Sequence, residues 1–163
     1  VSVYGITKKT GEDLFRILSE DGINTTVYRL FNVYGPGQDF TNMQQGMLSI
    51  FMTQALTSDA IRVTGSLNRY RDFVYIDDVV AAFLACLNIK GSTIYNVSTN
   101  EKHSVEFIIE AIRSHLKTNC SVTYDGVTPG DMLGILGLIL CFCMDIQNGM
   151  IGNLFFKTHR SGF

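Results

Sequence analysis

The strongest constraint on the fold of this chain is a regular alternation of strand-like segments with segments of helical periodicity. Apolar and β-branched runs predict strands at 25–30, 61–64, 73–76 and 93–97, and apolar residues at helical spacing predict helices over 8–19, 46–56, 79–87 and 108–116. Strands that alternate with helices indicate α/β layering. At 163 residues and 46% hydrophobic content, the chain is long enough for one ordinary domain with a buried core.

Charge and cysteine usage exclude several classes of function. The formal charge is -2, and the thirteen Lys and Arg residues are scattered, so nucleic-acid binding is disfavoured and any phosphate recognition must be local. The four cysteines form no Cys-x-x-Cys unit and no histidine stands at ligand spacing from them, so no metal site is expected. The sequence starts without a basic segment followed by an apolar one, which favours a cytoplasmic protein.

A candidate acid/base pair lies near the start of the sequence. Tyr4 and Lys8 are four positions apart, so a helix places them as neighbours on one face. A protonated Lys8 can then stabilise the phenolate of Tyr4, which makes Tyr4 a candidate general acid/base. Taken alone the pair is a weak signal, because any amphipathic helix can carry Tyr and Lys at this spacing.

Two later segments give the pair a context. Residues 28–38 read Tyr-Arg-Leu-Phe-Asn-Val-Tyr-Gly-Pro-Gly-Gln, and residues 71–80 read Arg-Asp-Phe-Val-Tyr-Ile-Asp-Asp-Val-Val. In this order and at these intervals the chain resembles the extended short-chain dehydrogenase/reductase family, specifically its NAD-dependent nucleotide-sugar epimerases and dehydratases. The resemblance runs from residue 1 to about Asp131.

The resemblance implies a set of site residues. By analogy with the family, Tyr4 would take a proton from a sugar hydroxyl while hydride passes to NAD, and Lys8 would also bond the nicotinamide ribose. The implied contacts to a nucleotide sugar, with UDP as the expected nucleotide, involve Asn32, Asn42, Met43, Arg62, Thr64, Arg71 and Asp131. Asn42-Met43 resembles the pair that opens a helix against the diphosphate, and Arg71 the phosphate clamp. A surface salt bridge with Asp72 or Asp77 is the alternative role of Arg71.

Other parts of the sequence depart from the family. No glycine-rich turn follows an apolar strand, so the N-terminal Rossmann half that binds the NAD pyrophosphate is expected to be absent, together with the upstream Ser or Thr of the catalytic triad. Thr128 replaces an arginine that usually precedes the glycine at position 130. The predicted fold is thus a partial Rossmann-like doubly wound sheet with the substrate-binding portion of the family, which would leave a bare sheet edge and favour self-association.

The sequence after Asp131 forms a separate, divergent tail. Residues 132–144 carry no charge, but thirteen residues are fewer than the roughly 20 needed to cross a bilayer, so no membrane partner is expected. The predicted division is therefore 1–131 and 132–163. A shifted reading frame, a fusion of unrelated sequence, or an apolar segment that folds back over bare surface would each account for the tail.

Two hypotheses remain open from the sequence. The first is a fragment of a nucleotide-sugar epimerase or dehydratase, inactive unless an NAD-binding half is supplied. The second is a non-catalytic module that keeps nucleotide-sugar contacts through Asn32 and Arg71. Glu12 and Asp13 are expected to form a solvated helix face and not a carboxylate pair for hydrolysis.

Overall fold

The fold was analysed in a computed structural model that describes residues 2–43, 46–125 and 134. In chain order the elements of these residues are α1 (Val3–Glu20), β1 (Thr25–Leu30), β2 (Asn32–Tyr34), α2 (Met47–Thr57), β3 (Ala60–Thr64), β4 (Tyr70–Arg71), β5 (Phe73–Tyr75), α3 (Ile76–Ala85), β6 (Ser92–Val97), β7 (His103–Ser104), α4 (Val105–Leu116) and β8 (Ser121–Asp125). The predicted boundary at 131 and the tail up to 163, Gly134 excepted, lie outside these residues, and the two-part division stays a prediction.

Parallel strand pairing confirms the predicted α/β class. β1 pairs with β6, β2 with β5 and β3 with β8, all in parallel, whereas the short strands β4 and β7 pair antiparallel. Parallel neighbours need a crossover between them, and the helices α2, α3 and α4 lie in these crossovers. The carboxyl ends of β1 and β6 therefore lie at the same edge of the fold.

Two groups of buried side chains hold the layers together. The larger group joins α2 and α4 to β3 and β5, and consists of Phe51, Ala55, Ile61, Val63, Phe73, Val105, Ile108, Ile109, Ile112 and Cys120. The smaller group lies between α3 and the strands β5 and β6, and consists of Val74, Val79, Ala82 and Val97. Most of these residues occupy the apolar positions that predicted the elements, so sequence periodicity and core packing agree.

The helices α1 and α3 begin at residues other than those predicted from the sequence. α1 begins at Val3, five residues before the predicted start, because the Ser2 hydroxyl accepts a hydrogen bond from the Gly5 N–H at 3.1 Å. From the sequence, Asp77 and Asp78 are expected to cap α3, but Tyr75 occupies the N-cap and both aspartates lie within the first turn. Carboxylates are favourable in a first turn because the amino end of a helix is positively polarised. The strands β2, β4, β7 and β8 were not predicted.

α1 turns an ionic side toward the sheet and an apolar side away from it. The Arg29 guanidinium donates to both Glu12 carboxylate oxygens, at 2.6 and 2.7 Å, and the Glu12 side chain is only 9% exposed. The expectation that Glu12 is part of a solvated face is therefore wrong, because this long-range partner covers it. No residue of α1 is buried, and Leu14, Phe15, Ile17 and Leu18 are all exposed. No helix in the described part of the chain is long and apolar enough to span a membrane.

The Glu12–Arg29 pair makes a testable contribution to stability. The Arg29 hydrogen bonds lower the pKa of Glu12 below its ordinary value of 4.5. Because the pKa of Glu12 is lower in the folded state, the ionised carboxylate stabilises the fold at pH values above the ordinary pKa of 4.5. This stabilisation is lost as the pH falls through the lowered pKa. We expect Glu12→Gln to reduce the free energy of unfolding by about 1 kcal/mol at pH 7, and this difference to shrink on acidification below about pH 4.

Urea unfolding followed by circular dichroism measures this difference. Asp13→Asn is the matched control, because Asp13 pairs at 3.0 Å with Lys9 where both side chains are at least half exposed, and such pairs contribute little. Equal losses in the two variants, or a Glu12→Gln effect that does not depend on pH, would show that the pair does not anchor α1.

Candidate functional site

A polar cavity of about 390 Å³ lies between the end of β2 and the start of α2. Its described lining consists of Asn32, Val33, Gln38, Asp39, Asn42, Gly46, Met47, Leu48 and Phe73. Ligands of α/β sheets commonly bind outside the carboxyl ends of parallel strands, and this cavity has that position relative to β1. Two residues that the sequence resemblance implied, Asn32 and Asn42, are thus brought to one cavity.

Asn32 is the most firmly held polar residue of the cavity. Its backbone N–H and its side-chain Nδ2 both donate to the carbonyl oxygen of Asp72, at 3.1 and 2.9 Å. Asn32 is also in register with Phe73 in the β2–β5 pair. Among the described residues no donor reaches its Oδ1, which leaves this oxygen and the second Nδ2 hydrogen for a ligand. The amide can therefore offer a ligand one acceptor and one donor in a fixed orientation.

α2 starts at the cavity. The expectation that Asn42 and Met43 open this helix is wrong. The helix begins at Met47 with Gly46 as its N-cap, so Asn42-Met43 lies in the preceding loop and does not open it. The loop turns early, because the Asp39 carboxylate accepts from both the N–H and the hydroxyl of Thr41. Asn42 still lines the cavity, whereas Met43 is not part of its lining.

The amino end of α2 gives the cavity an electrostatic preference. Gly46 has a φ of 85° and provides no side-chain cap, so no side chain at the N-cap competes for the first N–H groups of the helix. Unpaired N–H groups at a helix start favour an anion, such as a phosphate oxygen. The cavity wall formed by Gly46 and Met47 is therefore suited to a negatively charged group.

Asp39 and Gln38 are cavity residues that the sequence analysis missed. The hydrogen bond from the Thr41 hydroxyl lowers the pKa of Asp39 below its ordinary value, so this carboxylate is charged at neutral pH. A charged carboxylate accepts hydrogen bonds from hydroxyl groups and repels phosphate, which suits it to the sugar part of a ligand. Both residues directly follow the Gly35-Pro36-Gly37 loop. Their position in a loop after a predicted strand was the sequence signal that could have identified them.

The three remaining implied contacts within the described residues separate into two places. Arg71 lies on β4, directly before Asp72, and its Nη1 donates to the Tyr70 carbonyl at 2.9 Å. Arg71 is thus beside the cavity residues without being part of the described lining. Arg62 and Thr64 lie on β3, whose partner is β8, and Arg62 pairs with Asp125. They do not join the cavity, and Asp131 lies outside the described residues.

Tyr4 and Lys8 lie on one exposed face of α1. The Lys8 Nζ is 5.4 Å from the centroid of the Tyr4 ring, and Tyr4 is 71% exposed. A cation at this distance over an aromatic face is attracted to it. The structure therefore places the two groups as neighbours at a solvent-accessible surface, away from the lining of the polar cavity.

The described residues offer polar groups for one part of an NAD molecule. Tyr4 and Lys8 are accessible and adjacent, and both carry donors of the kind that can hydrogen-bond a ribose hydroxyl. The pyrophosphate of NAD binds at a glycine-rich turn between a strand and a helix. Within the described residues, the connections from a strand to a helix contain no such turn, apart from the loop that lines the polar cavity. α3 carries Asp77 and Asp78 in its first turn and α4 carries Glu106, and these carboxylates disfavour phosphate.

Comparison with known proteins identifies the family. The model of the NAD dependent epimerase/dehydratase family matches residues 1–98. This match covers more than half of the chain, and the chain therefore belongs to the NAD-dependent epimerase/dehydratase family.

Individual relatives agree with this assignment. A Methanocaldococcus jannaschii protein assigned by name as a UDP-glucose 4-epimerase is 32% identical over 136 residues, which are 83% of this chain and 44% of that protein. The Thermotoga maritima UDP-glucose 4-epimerase, solved with UDP-glucose, has a TM-score of 0.80 at 27% identity and covers 86% of this chain and 45% of its own. The Thermus thermophilus UDP-glucose 4-epimerase, solved with NAD, has a TM-score of 0.74 at 25% identity, with coverages of 84% and 45%. The chain thus spans less than half the length of these relatives.

Gly46 offers a test of the cavity wall. A Cβ at this position would come within 2.5 Å of the Gln38 Nε2 and 2.6 Å of the Ser49 Oγ, whereas a Cβ at Gly37 would meet nothing within 4 Å. Both glycines have a φ near 85°, so alanine at either one costs roughly 1 to 2 kcal/mol of backbone strain. We expect Gly46→Ala to cost about 1 kcal/mol more than Gly37→Ala, because it also displaces Gln38 and the buried Ser49.

The measurement is the free energy of unfolding of both variants in urea. Gly37→Ala is the matched control because it carries the same strain without the clash. Equal losses would mean that Gln38 and Ser49 do not pack against Gly46 in solution.

Proposed function

We propose that this chain is the substrate-binding portion of an NAD-dependent nucleotide-sugar epimerase of the UDP-glucose 4-epimerase type. The single observation that carries the proposal is the polar cavity, where the oriented amide of Asn32 and the amino end of α2 face the same space. Family membership and the likeness to UDP-glucose 4-epimerases support the same conclusion. The expected ligand is a UDP-sugar.

In the proposed complex the diphosphate lies against the start of α2. The N–H groups of its first turn and the guanidinium of Arg71 bind phosphate oxygens, the latter through the parallel donors of its planar fork. The Asn32 amide donates to the same group or to an adjacent hydroxyl. Asp39 accepts from a sugar hydroxyl, which separates its negative charge from the phosphates.

The proposed chemistry assigns proton transfer to α1. Hydride leaves a sugar carbon readily only as the attached oxygen loses its proton, so a base must contact that oxygen. Tyr4 is the proposed base, and Lys8 stabilises its phenolate from the neighbouring turn and bonds the nicotinamide ribose. NAD, when bound, accepts and returns the hydride.

Catalysis by the chain alone is not expected under this proposal. We assign the polar cavity to the nucleotide sugar and Tyr4 with Lys8 to proton transfer, and the described residues offer no second anion site suited to the NAD pyrophosphate. Under this proposal a further polypeptide segment binds the NAD pyrophosphate. A dehydratase that uses the same residues, and a binding module without activity, are the alternatives that the experiments below distinguish.

Titration calorimetry with UDP and UDP-glucose tests the binding part. We expect the chain to bind both and Asn32→Ala to weaken UDP by about tenfold, since one hydrogen bond to a charged group is worth roughly 1.5 kcal/mol. Asn88→Ala is the matched control, because Asn88 is exposed beyond α3 and far from the cavity in sequence. Absence of UDP binding, or equal affinities of the two variants, would refute the assigned cavity.

Turnover tests the catalytic part. The chain is combined with the NAD-binding half of the Thermotoga maritima enzyme, and UDP-glucose is followed by NMR for inversion at C4 or for loss of water. We expect C4 inversion, and a decrease of about 100-fold or more in Tyr4→Phe, because a positioned acid/base contributes at least that factor.

Two lysine variants make this assignment specific. Lys8→Ala should lower turnover, whereas Lys9→Ala should not, because Lys9 is directed to Glu12 and Asp13. Loss of water instead of inversion would favour the dehydratase. UDP-glucose binding without turnover in any combination would favour the binding module.

A further inference from the structure

One fully buried carboxylate, that of Asp72, lies beside the candidate site without being part of its lining. Asp72 has no exposed surface, and it is the single residue between β4 and β5. β4 pairs antiparallel with β7, and β5 pairs in parallel with β2. The chain therefore changes its partner strand at Asp72, so the conformation of this residue affects how the two strand pairs meet.

The carboxylate of Asp72 binds the turn that follows β6. Its Oδ1 accepts from the N–H of Thr99 at 2.9 Å and from the Thr99 hydroxyl at 2.8 Å, and its Oδ2 accepts from the N–H of Asn100 at 2.9 Å. Asn100 itself adopts a left-handed conformation, with a φ of 61°, which is consistent with a tight turn at this position. A buried charge is costly unless it is hydrogen-bonded, and these three donors satisfy it.

The backbone of Asp72 binds the candidate site. Its carbonyl oxygen accepts both hydrogen bonds that Asn32 donates, one from the backbone and one from the side chain. Its neighbours in the chain are Arg71, the proposed phosphate ligand, and Phe73, which lines the cavity. One residue therefore connects the turn at Thr99 to three residues at or beside the site.

We propose that Asp72 is a positioning residue for nucleotide-sugar binding: its buried carboxylate, held by Thr99 and Asn100, fixes the carbonyl that orients the Asn32 amide. The expected effect on ligand binding rests on the proposed function, because the orientation of the Asn32 amide affects binding only if a ligand occupies the cavity. The effect on Asn32 itself does not depend on any ligand.

Asp72→Asn is the informative substitution. It preserves size and removes the charge, and an amide group can replace only part of the carboxylate, because its NH2 group cannot accept from a backbone N–H. One of the two turn residues then loses its partner, and the backbone at position 72 is held less firmly. We expect the side-chain amide of Asn32 to move with the carbonyl that holds it.

Asp78→Asn is the matched control. Asp78 is also a buried carboxylate, 4% exposed, but it lies in the first turn of α3 and does not hydrogen-bond Asn32. Both variants are expected to lose stability in urea, so a purely structural role would affect them alike. The distinguishing readout is the pair of side-chain NH2 resonances of Asn32 in a proton–nitrogen NMR spectrum, identified by their disappearance in Asn32→Ala.

We expect these resonances to shift and to approach each other in Asp72→Asn and to stay in place in Asp78→Asn. UDP affinity, measured by calorimetry where both variants are folded, should fall by about fivefold in Asp72→Asn only. Unchanged Asn32 resonances in Asp72→Asn would overturn the inference. If the wild-type chain does not bind UDP, the proposed function fails, but the resonances still decide the role of Asp72.

Thr99→Val keeps the inference testable if Asp72→Asn does not fold. It removes one of the three donors to the carboxylate and leaves both backbone N–H groups in place. We expect a smaller shift of the Asn32 resonances in the same direction. Resonances identical to those of the wild-type chain in Thr99→Val would count against the proposal.

Discussion

The candidate site depends on one constraint: the extended segment through residues 25–34 changes its pairing partner from β6 to β5 after Phe31. Up to Leu30 the chain pairs with β6, and the Phe31 N–H still donates to the Val97 carbonyl at 3.2 Å. The next N–H, that of Asn32, donates instead to Asp72, and β2 continues along β5. Successive N–H groups of a strand point to its opposite edges, so β6 and β5 lie on opposite sides of this segment. Asn32 is the residue at which pairing passes from one side to the other, and its backbone N–H and Nδ2 both donate to the Asp72 carbonyl.

The regular elements could be predicted because their signal is local and repeated. β1 was predicted with its observed bounds, and the helix through Ile108 and Ile112 was predicted from its period, although it begins three residues earlier, at Val105, with Ser104 as its N-cap. The strands β4 and β7 could not be found in this way, because each has only two residues and no period can be read from two residues. They pair beside Asp72, whose carboxylate hydrogen-bonds the turn after β6, and these are contacts between residues far apart in the sequence.

The same distinction applies to single residues of the site. Asn32, which lines the cavity, was implied by a motif, and it directly follows a predicted strand. Arg62 and Thr64 were implied by resemblance, and they lie on the opposite face of β3 from Ile61 and Val63, which are fully buried. Their strand pairs with β8, a long-range pairing that could not be read from the sequence. Asp72 has no motif of its own, because its role depends on donors from residues 99 and 100.

The orientation of α1 connects stability with the proposed chemistry. A helix on a sheet ordinarily turns its apolar side inward, but here the Glu12–Arg29 pair occupies the inner side. Tyr4, Lys8, Phe15 and Leu18 follow one another at helical spacing, so the acid/base pair and exposed apolar residues share one outer stripe. An exposed apolar stripe of this kind favours a covering surface. If the proposed function holds, the polypeptide that brings the nicotinamide to Tyr4 must contact this stripe, and the same contact then buries the apolar residues and excludes water from the proton transfer.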